Sequence, residues 1–279
     1  MKRILSLLTL LGTALSAQTD SAASPWTHTL VSAVTLTQVS YTDWTAGGEN
    51  AMAYTVSLDG RSVRDAGMFH WSNSYKVAYG QTRLGSKGMR KIEDKLELES
   101  VLTYKLGTHV NPYASATFKS QFDDGFKYDD AAGTKVQTSA GFDPVYMTQA
   151  VGVGYEPAPQ VRTRIGAALR EVLSDAHGYA DDPKTAGEVE TSKVEGGLES
   201  VTDVSLQFEE NLLFTSKLEL FSPFHDPDVI ILRSDSMLAA KVSSYITVNL
   251  TLQLINDANI TARTQVKQGL AMGLTYTLL

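Results

Sequence analysis

The chain has 279 residues, a formal net charge of −7 and no cysteine. That acidic balance argues against a basic patch for nucleic acid or anionic lipid, and the missing thiols exclude disulfide staples, thiolate zinc sites and a cysteine nucleophile.

The first element in chain order is an export signal. Lys2 and Arg3 form a positive start, residues 4–15 an apolar run and Ser16-Ala17 a small-residue cleavage site, so 1–17 reads as a signal peptide and 18–279 as the mature domain. The run is shorter than the ~20 residues that carry a helix through a bilayer, and the polar Gln18-Thr19-Asp20-Ser21 follows it. Losing the two cations Lys2 and Arg3 takes the net charge from −7 to −9. No later stretch approaches ~18 uninterrupted apolar residues. A mature chain that spans a membrane must therefore do so as a closed β-barrel, the other way to satisfy every backbone polar group in lipid.

From Thr27 onward the sequence is a train of period-2 segments punctuated by Gly, Pro, Asn and Asp, which is an all-β signature. The pattern predicts twelve strands, near 27–41, 49–62, 68–82, 91–106, 111–124, 145–156, 160–174, 189–208, 211–223, 230–242, 245–256 and 262–279. In the fourth, Ile92, Leu96, Leu98, Leu102, Tyr104 and Leu106 share one face, broken only by Asp94; Lys91, Glu93, Lys95, Glu97, Glu99 and Lys105 share the other. Alternate connections are short, whereas those between, such as 123–143 and 176–188, are mostly longer and polar. Tight periplasmic turns, longer external loops and periplasmic termini are the arrangement this asymmetry predicts.

Alternation alone does not say which face is wet, because apolar-out with polar-in gives the same string as its reverse. Strand number decides: barrel diameter grows with it, and twelve strands closed around an apolar interior would be hollow, so a soluble reading requires a two-sheet sandwich instead. With the export signal and the loop asymmetry, the expectation is an antiparallel transmembrane β-barrel in the outer membrane of a Gram-negative bacterium. Aromatic residues near strand ends, among them Tyr41, Trp44, Phe122, Tyr155, Phe224 and Tyr276, are candidates for interfacial girdles.

Several short stretches carry a resemblance. They are Asp43-Trp44-Thr45-Ala46-Gly47-Gly48-Glu49-Asn50, Trp71-Ser72-Asn73 with Tyr79-Gly80, Asp94-Lys95-Leu96-Glu97-Leu98, Phe118-Lys119-Ser120-Gln121-Phe122, Asp143-Pro144-Val145-Tyr146 and Leu238-Ala239-Ala240-Lys241-Val242. Through them the chain resembles an uncharacterised family of Gram-negative outer-membrane β-barrels known only as a domain of unknown function (DUF3078-like), over nearly the whole mature chain. Its most specific element is Trp44, Gly47 and Gly48, with Trp71 and Asn73 as further motif residues. The resemblance implies fold and location and brings no catalytic residues. Outer-membrane lipid and the barrel-assembly machinery are the partners expected of such a protein. That machinery usually reads a C-terminal aromatic; this chain ends Tyr276-Thr277-Leu278-Leu279, so either recognition is weaker or Tyr276 serves.

The chemistry-bearing residues gather on the predicted lumen face. Lys91, Glu93, Lys95, Glu97 and Glu99 lie on one strand, Arg162, Arg164 and Arg170 on another, Glu195, Glu199 and Asp203 beside it, then Lys217 and Glu219. They read either as a charged pore lining or as a salt-bridge lattice filling the lumen, and an Arg row beside an acidic row favours the lattice. His70 and Ser72 share a strand face and resemble the His-x-Ser-Asn of outer-membrane phospholipases. Here, however, the pattern turns them inward, beside Lys76, and Ser74 stands where those enzymes have Gly. The remaining histidines are scattered, no metal-ligand spacing appears, and no cofactor is expected. The leading functional expectation is a narrow channel or transporter for small polar solutes. A non-conducting structural or adhesive barrel acting through its external loops is the alternative, and a lipid hydrolase using His70 and Ser72 comes third.

Overall fold

The computed structural model describes residues 26–42, 48–175, 177–181 and 189–279. The signal segment, Trp44, Gly47 and most of the 176–188 loop lie outside the described residues. Fourteen strands follow in order: β1 (Trp26–Val39), β2 (Ala51–Ala66), β3 (Phe69–Leu84), β4 (Arg90–Tyr104), β5 (Val110–Ser120), β6 (Gly125–Asp129), β7 (Thr134–Ser139), β8 (Val145–Ala158), β9 (Val161–Leu173), β10 (Ser192–Glu209), β11 (Leu212–Pro223), β12 (Ile231–Lys241), β13 (Ile246–Asn256) and β14 (Gln265–Thr277). Twelve of them close into one antiparallel barrel, with β1 paired to β14 and β5 to β8.

The twelve barrel strands are those the alternation predicts. The remaining two, β6 and β7, form a separate hairpin within the 123–143 connection, where the sequence pattern shows only a long polar loop. Strands of 5 and 6 residues are too short to display a period. Beside their backbone ladder they make cation–π contacts: Lys135 Nζ lies 3.8 Å from the Phe126 ring centre and the Arg90 guanidinium 4.1 Å from that of Tyr128. Asp130, in the turn between the two strands, pairs with Lys87 at 2.9 Å and with Arg90.

The two faces of the wall are opposite in chemistry. Arg61, Ser72, Ser74, Lys76 and Glu99 line the interior, whereas residues of the other parity, including Leu36, Leu58, Leu98, Val151, Ile165, Leu198 and Leu270, are exposed on the outside. A soluble barrel would have the reverse pattern. Aromatic side chains gather at the short-turn end, where Phe69 packs edge-on against Tyr104 at 5.2 Å and Trp26 meets Trp71 at 5.1 Å. A buried apolar cluster of Tyr113, Ala150, Ala168, Phe221 and Ile231 sits within the barrel. Gly166 makes room there, since a Cβ at that position would lie 2.8 Å from the Tyr113 hydroxyl.

The single break in the apolar face of β4 has a local cause. Asp94 accepts hydrogen bonds from the backbone N–H of Phe122 (2.8 Å) and Asp123 (2.9 Å), fixing the exit of β5 at the long-loop end. Closure of the barrel is uneven: β1 and β2 pair along all fourteen residues of β1, from Trp26 to Val39, but β1 and β14 pair only from Val31 to Thr35.

Candidate functional site

Charged side chains bridge the lumen near mid-height, and the register determines which can meet. β4 and β12 face each other across the barrel, with five strands between them either way. Arg233 on β12 donates to Glu97 on β4 at 2.5 Å and to its own neighbour Asp235 at 3.2 Å. Lys95 reaches Asp235 at 3.5 Å, and the Gln253 amide donates to it at 2.7 Å. Glu99 accepts from Lys217 on β11 at 2.7 Å and from Arg164 on β9. Lys119 on β5 pairs with Glu219 on β11, which also lies 3.6 Å from Lys217. These groups retain little exposure, 16% for Glu99 and 12% for Arg164. Buried charges of this kind persist only when paired and hydrogen-bonded, so the bridges form a mutually dependent lattice.

Near the long-loop end a second layer ties β9 and β10 to the β13–β14 connection. Arg170 donates to Glu195 at 3.3 Å and to Asp257 at 3.0 Å, while Lys193 lies 3.2 Å from Glu195. Glu195 and Asp257 are almost wholly buried. Above this layer, His177 Nδ1 lies 2.6 Å from Asp143 and the Tyr179 hydroxyl donates to the Thr138 carbonyl at 3.1 Å, fastening residues 177–181 to β7. Burial alone would raise the Asp143 carboxyl, but hydrogen bonding, His177 included, outweighs it and holds the group below the usual carboxylate range. At the short-turn side, a cavity of about 510 Å³ lies beneath the lattice, lined by both signs: Arg61, Lys76, Arg162 and Lys217 with Glu156 and Asp203.

The predicted lumen residues fall into three groups. Lys95, Glu97, Glu99, Arg164, Lys217 and Glu219 meet in the central lattice, and Arg170 with Glu195 anchors the outer layer. Glu199 and Asp203 face inward opposite Gly166 and Arg162, and Glu93 takes Lys267 at 2.6 Å. Lys91 is a correction: a bulge opposite Gly80/Gln81 interrupts the alternation of β4, and its ammonium binds Asp94 at 2.8 Å and the Asp123 carbonyl at 2.6 Å rather than a lumen partner. The expected Arg-to-acid row between β9 and β10 makes an ion pair at Arg170–Glu195; Arg164 instead crosses to Glu99, and Arg162 leans 3.6 Å from Glu156. Lys119, Arg233, Asp235 and Asp257 were not singled out from sequence: Lys119 is the one charge on β5, Arg233 and Asp235 are a short pair on a mostly neutral β12, and Asp257 lies in the β13–β14 connection, where no alternation applies.

His70 and Ser72 face the lumen and do not serve one another. His70 Nδ1 lies 2.9 Å from Asp65, and Ser72 accepts from Arg61 Nε at 3.2 Å. Of the motif residues, Gly48 takes φ of 147° against the Tyr41 ring, and the Trp71 indole N–H donates to Ser100 at 2.8 Å. Asn73 lies beside Ser62 in register.

Residues 36–126 match the model of a family described as a protein of unknown function (DUF3078). The match covers the first third of the barrel rather than nearly the whole mature chain. No curated protein matches. Among solved structures, the translocator domain of the autotransporter NalP from Neisseria meningitidis aligns at TM-score 0.39 and 10% identity, covering 99% of this chain and 95% of that one. The NanC porin aligns at 0.40 and 10%, covering 90% and 100%. The COG4313 outer membrane channel from Pseudomonas putida F1 aligns at 0.40 and 9%, covering 94% and 97%.

Proposed function

We propose that the mature chain, from about residue 18, is an outer-membrane β-barrel whose lumen is a narrow path for small polar solutes, held shut at rest by its own charges. The apolar outer face supports the membrane setting, since only lipid makes that face the favourable one. The observation that carries the closed lumen is the set of bridges from β4 and β5 to β9, β11 and β12, which join opposite walls through the middle of the barrel. Periplasmic termini, insertion by the barrel-assembly machinery and cleavage of residues 1–17 belong to the same reading.

Planar-bilayer recording with a salt gradient tests it. Wild-type protein should pass little current. Neutralising Arg162, Arg164 and Arg170 together should raise it and shift the reversal potential toward cations, because Glu99, Glu195 and Asp203 then each lose a facing arginine and the lining turns net negative. An unchanged reversal potential from a folded variant would remove these residues from the path. No current from either protein would favour the second reading, a non-conducting barrel that acts through its external face. The β6–β7 hairpin and the His177–Asp143 fastening are the observations that favour that alternative.

A further inference from the structure

The outer surface carries a group of residues that a purely apolar belt does not need. On adjacent strands near the short-turn end, register places Trp26, Arg64 and Trp71 in one outward-facing row. The two indole rings approach to 5.1 Å across β2, and the Arg64 guanidinium lies 5.9 Å from the Trp26 ring centre. The Arg64 Nε is buried without a hydrogen-bond partner among the described residues. One row deeper into the apolar face stand His28, Ser62 and Asn73, also in register. There His28 Nδ1 lies 2.8 Å from the Ser62 hydroxyl, which in turn meets the Tyr75 hydroxyl.

His28, Ser62 and Tyr75 satisfy one another, but a cation whose Nε has no partner among the described residues is costly on a face otherwise made for hydrocarbon unless something polar meets it. The order of these groups along the membrane normal matches one molecule: an anionic group at the depth of the Trp row, then hydrogen-bonding oxygens just inside it, then alkyl chain. We propose that Arg64, framed by Trp26 and Trp71, binds the phosphate of a glycerophospholipid, with His28 and Asn73 facing its glycerol-ester region. A guanidinium presents forked donors that suit phosphate oxygens, and the neighbouring rings limit its rotamers before the lipid arrives. Phe69, 47% exposed, and Tyr104 continue the aromatic rim below the site. This inference rests on the membrane reading above, since it needs the outer face to meet lipid.

Native mass spectrometry of the detergent-solubilised barrel, with phosphatidylglycerol, phosphatidylethanolamine or diacylglycerol added, tests the site. The same preparation is scored for insertion into liposomes by protease protection. Wild type should retain one phospholipid and no diacylglycerol. Arg64→Gln should bind phospholipid about tenfold more weakly, the scale expected for one charge-assisted pair, and Arg64→Lys should fall between. An inserted, folded Arg64→Gln barrel that retains phospholipid as well as wild type would overturn the site and leave the barrel reading intact. Displacement of the lipid by millimolar inorganic phosphate would overturn the lipid assignment in favour of a free-anion site, and a chain that never inserts would overturn both.

Discussion

Two arcs of the same barrel solve opposite problems. β4, β5 and β9 to β12 direct charges of both signs into the lumen and tie them together through its centre. Around β13, β14 and β1, by contrast, the inward positions are uncharged apart from Lys267 and include Thr247, Asn249, Thr251, Gly269, Ala271, Gly273, Thr29, Ala33 and Thr35. The charged arc has long ladders on both sides of every strand; the neutral arc contains the seam, where β1 and β14 share five residue pairs. Small side chains suit a seam with little ladder to resist distortion, and they leave the charges of the opposite wall room to project.

The sharpest way to break this contrast is to remove one centre of the lattice. Glu99→Ala strands Arg164 and Lys217 together in the lumen, and should cost about 3 to 5 kcal/mol, as loss of one partner from a buried ion pair does. Loss of heat-resistant mobility on unheated gels and a lower urea midpoint would register it, whereas an unchanged midpoint would mean the bridges are solvated and the lumen wet. Second in size is a charge on the outer face of the same arc. Leu98→Arg should destabilise by about 2 to 4 kcal/mol in bilayers if that face meets lipid. If Leu98→Arg were harmless there while a lumen change were not, the barrel would be soluble and the faces reversed. The smallest effect is expected at the seam. A Cβ at Gly273 would lie 2.7 Å from the Val34 carbonyl oxygen, so Gly273→Ala should cost about 1 to 3 kcal/mol through local overpacking. Hydrogen exchange should then accelerate across Val31–Thr35 before it does in β2 and β3; a uniform increase would deny the seam its separate weakness.

The amino-acid order by itself determined the twelve barrel strands, the face of each and the apolar exterior, because a period of two is written directly in neighbouring residues such as Leu96, Glu97, Leu98 and Glu99. It also placed Lys95, Glu97, Glu99, Arg164, Lys217 and Glu219 of the central lattice on the inward side. Only closure decided which charges touch: Arg164 lies near an acidic strand in sequence order, yet it binds Glu99, 65 residues away, because three-dimensional register brings β4 and β9 to the same height. The β6–β7 hairpin, the turning of Lys91 at a bulge and the Trp26–Arg64–Trp71 row are likewise products of tertiary structure. Alternation specifies which side of a strand a residue occupies but carries no information about distance around the barrel, and that distance fixes every cross-lumen partner.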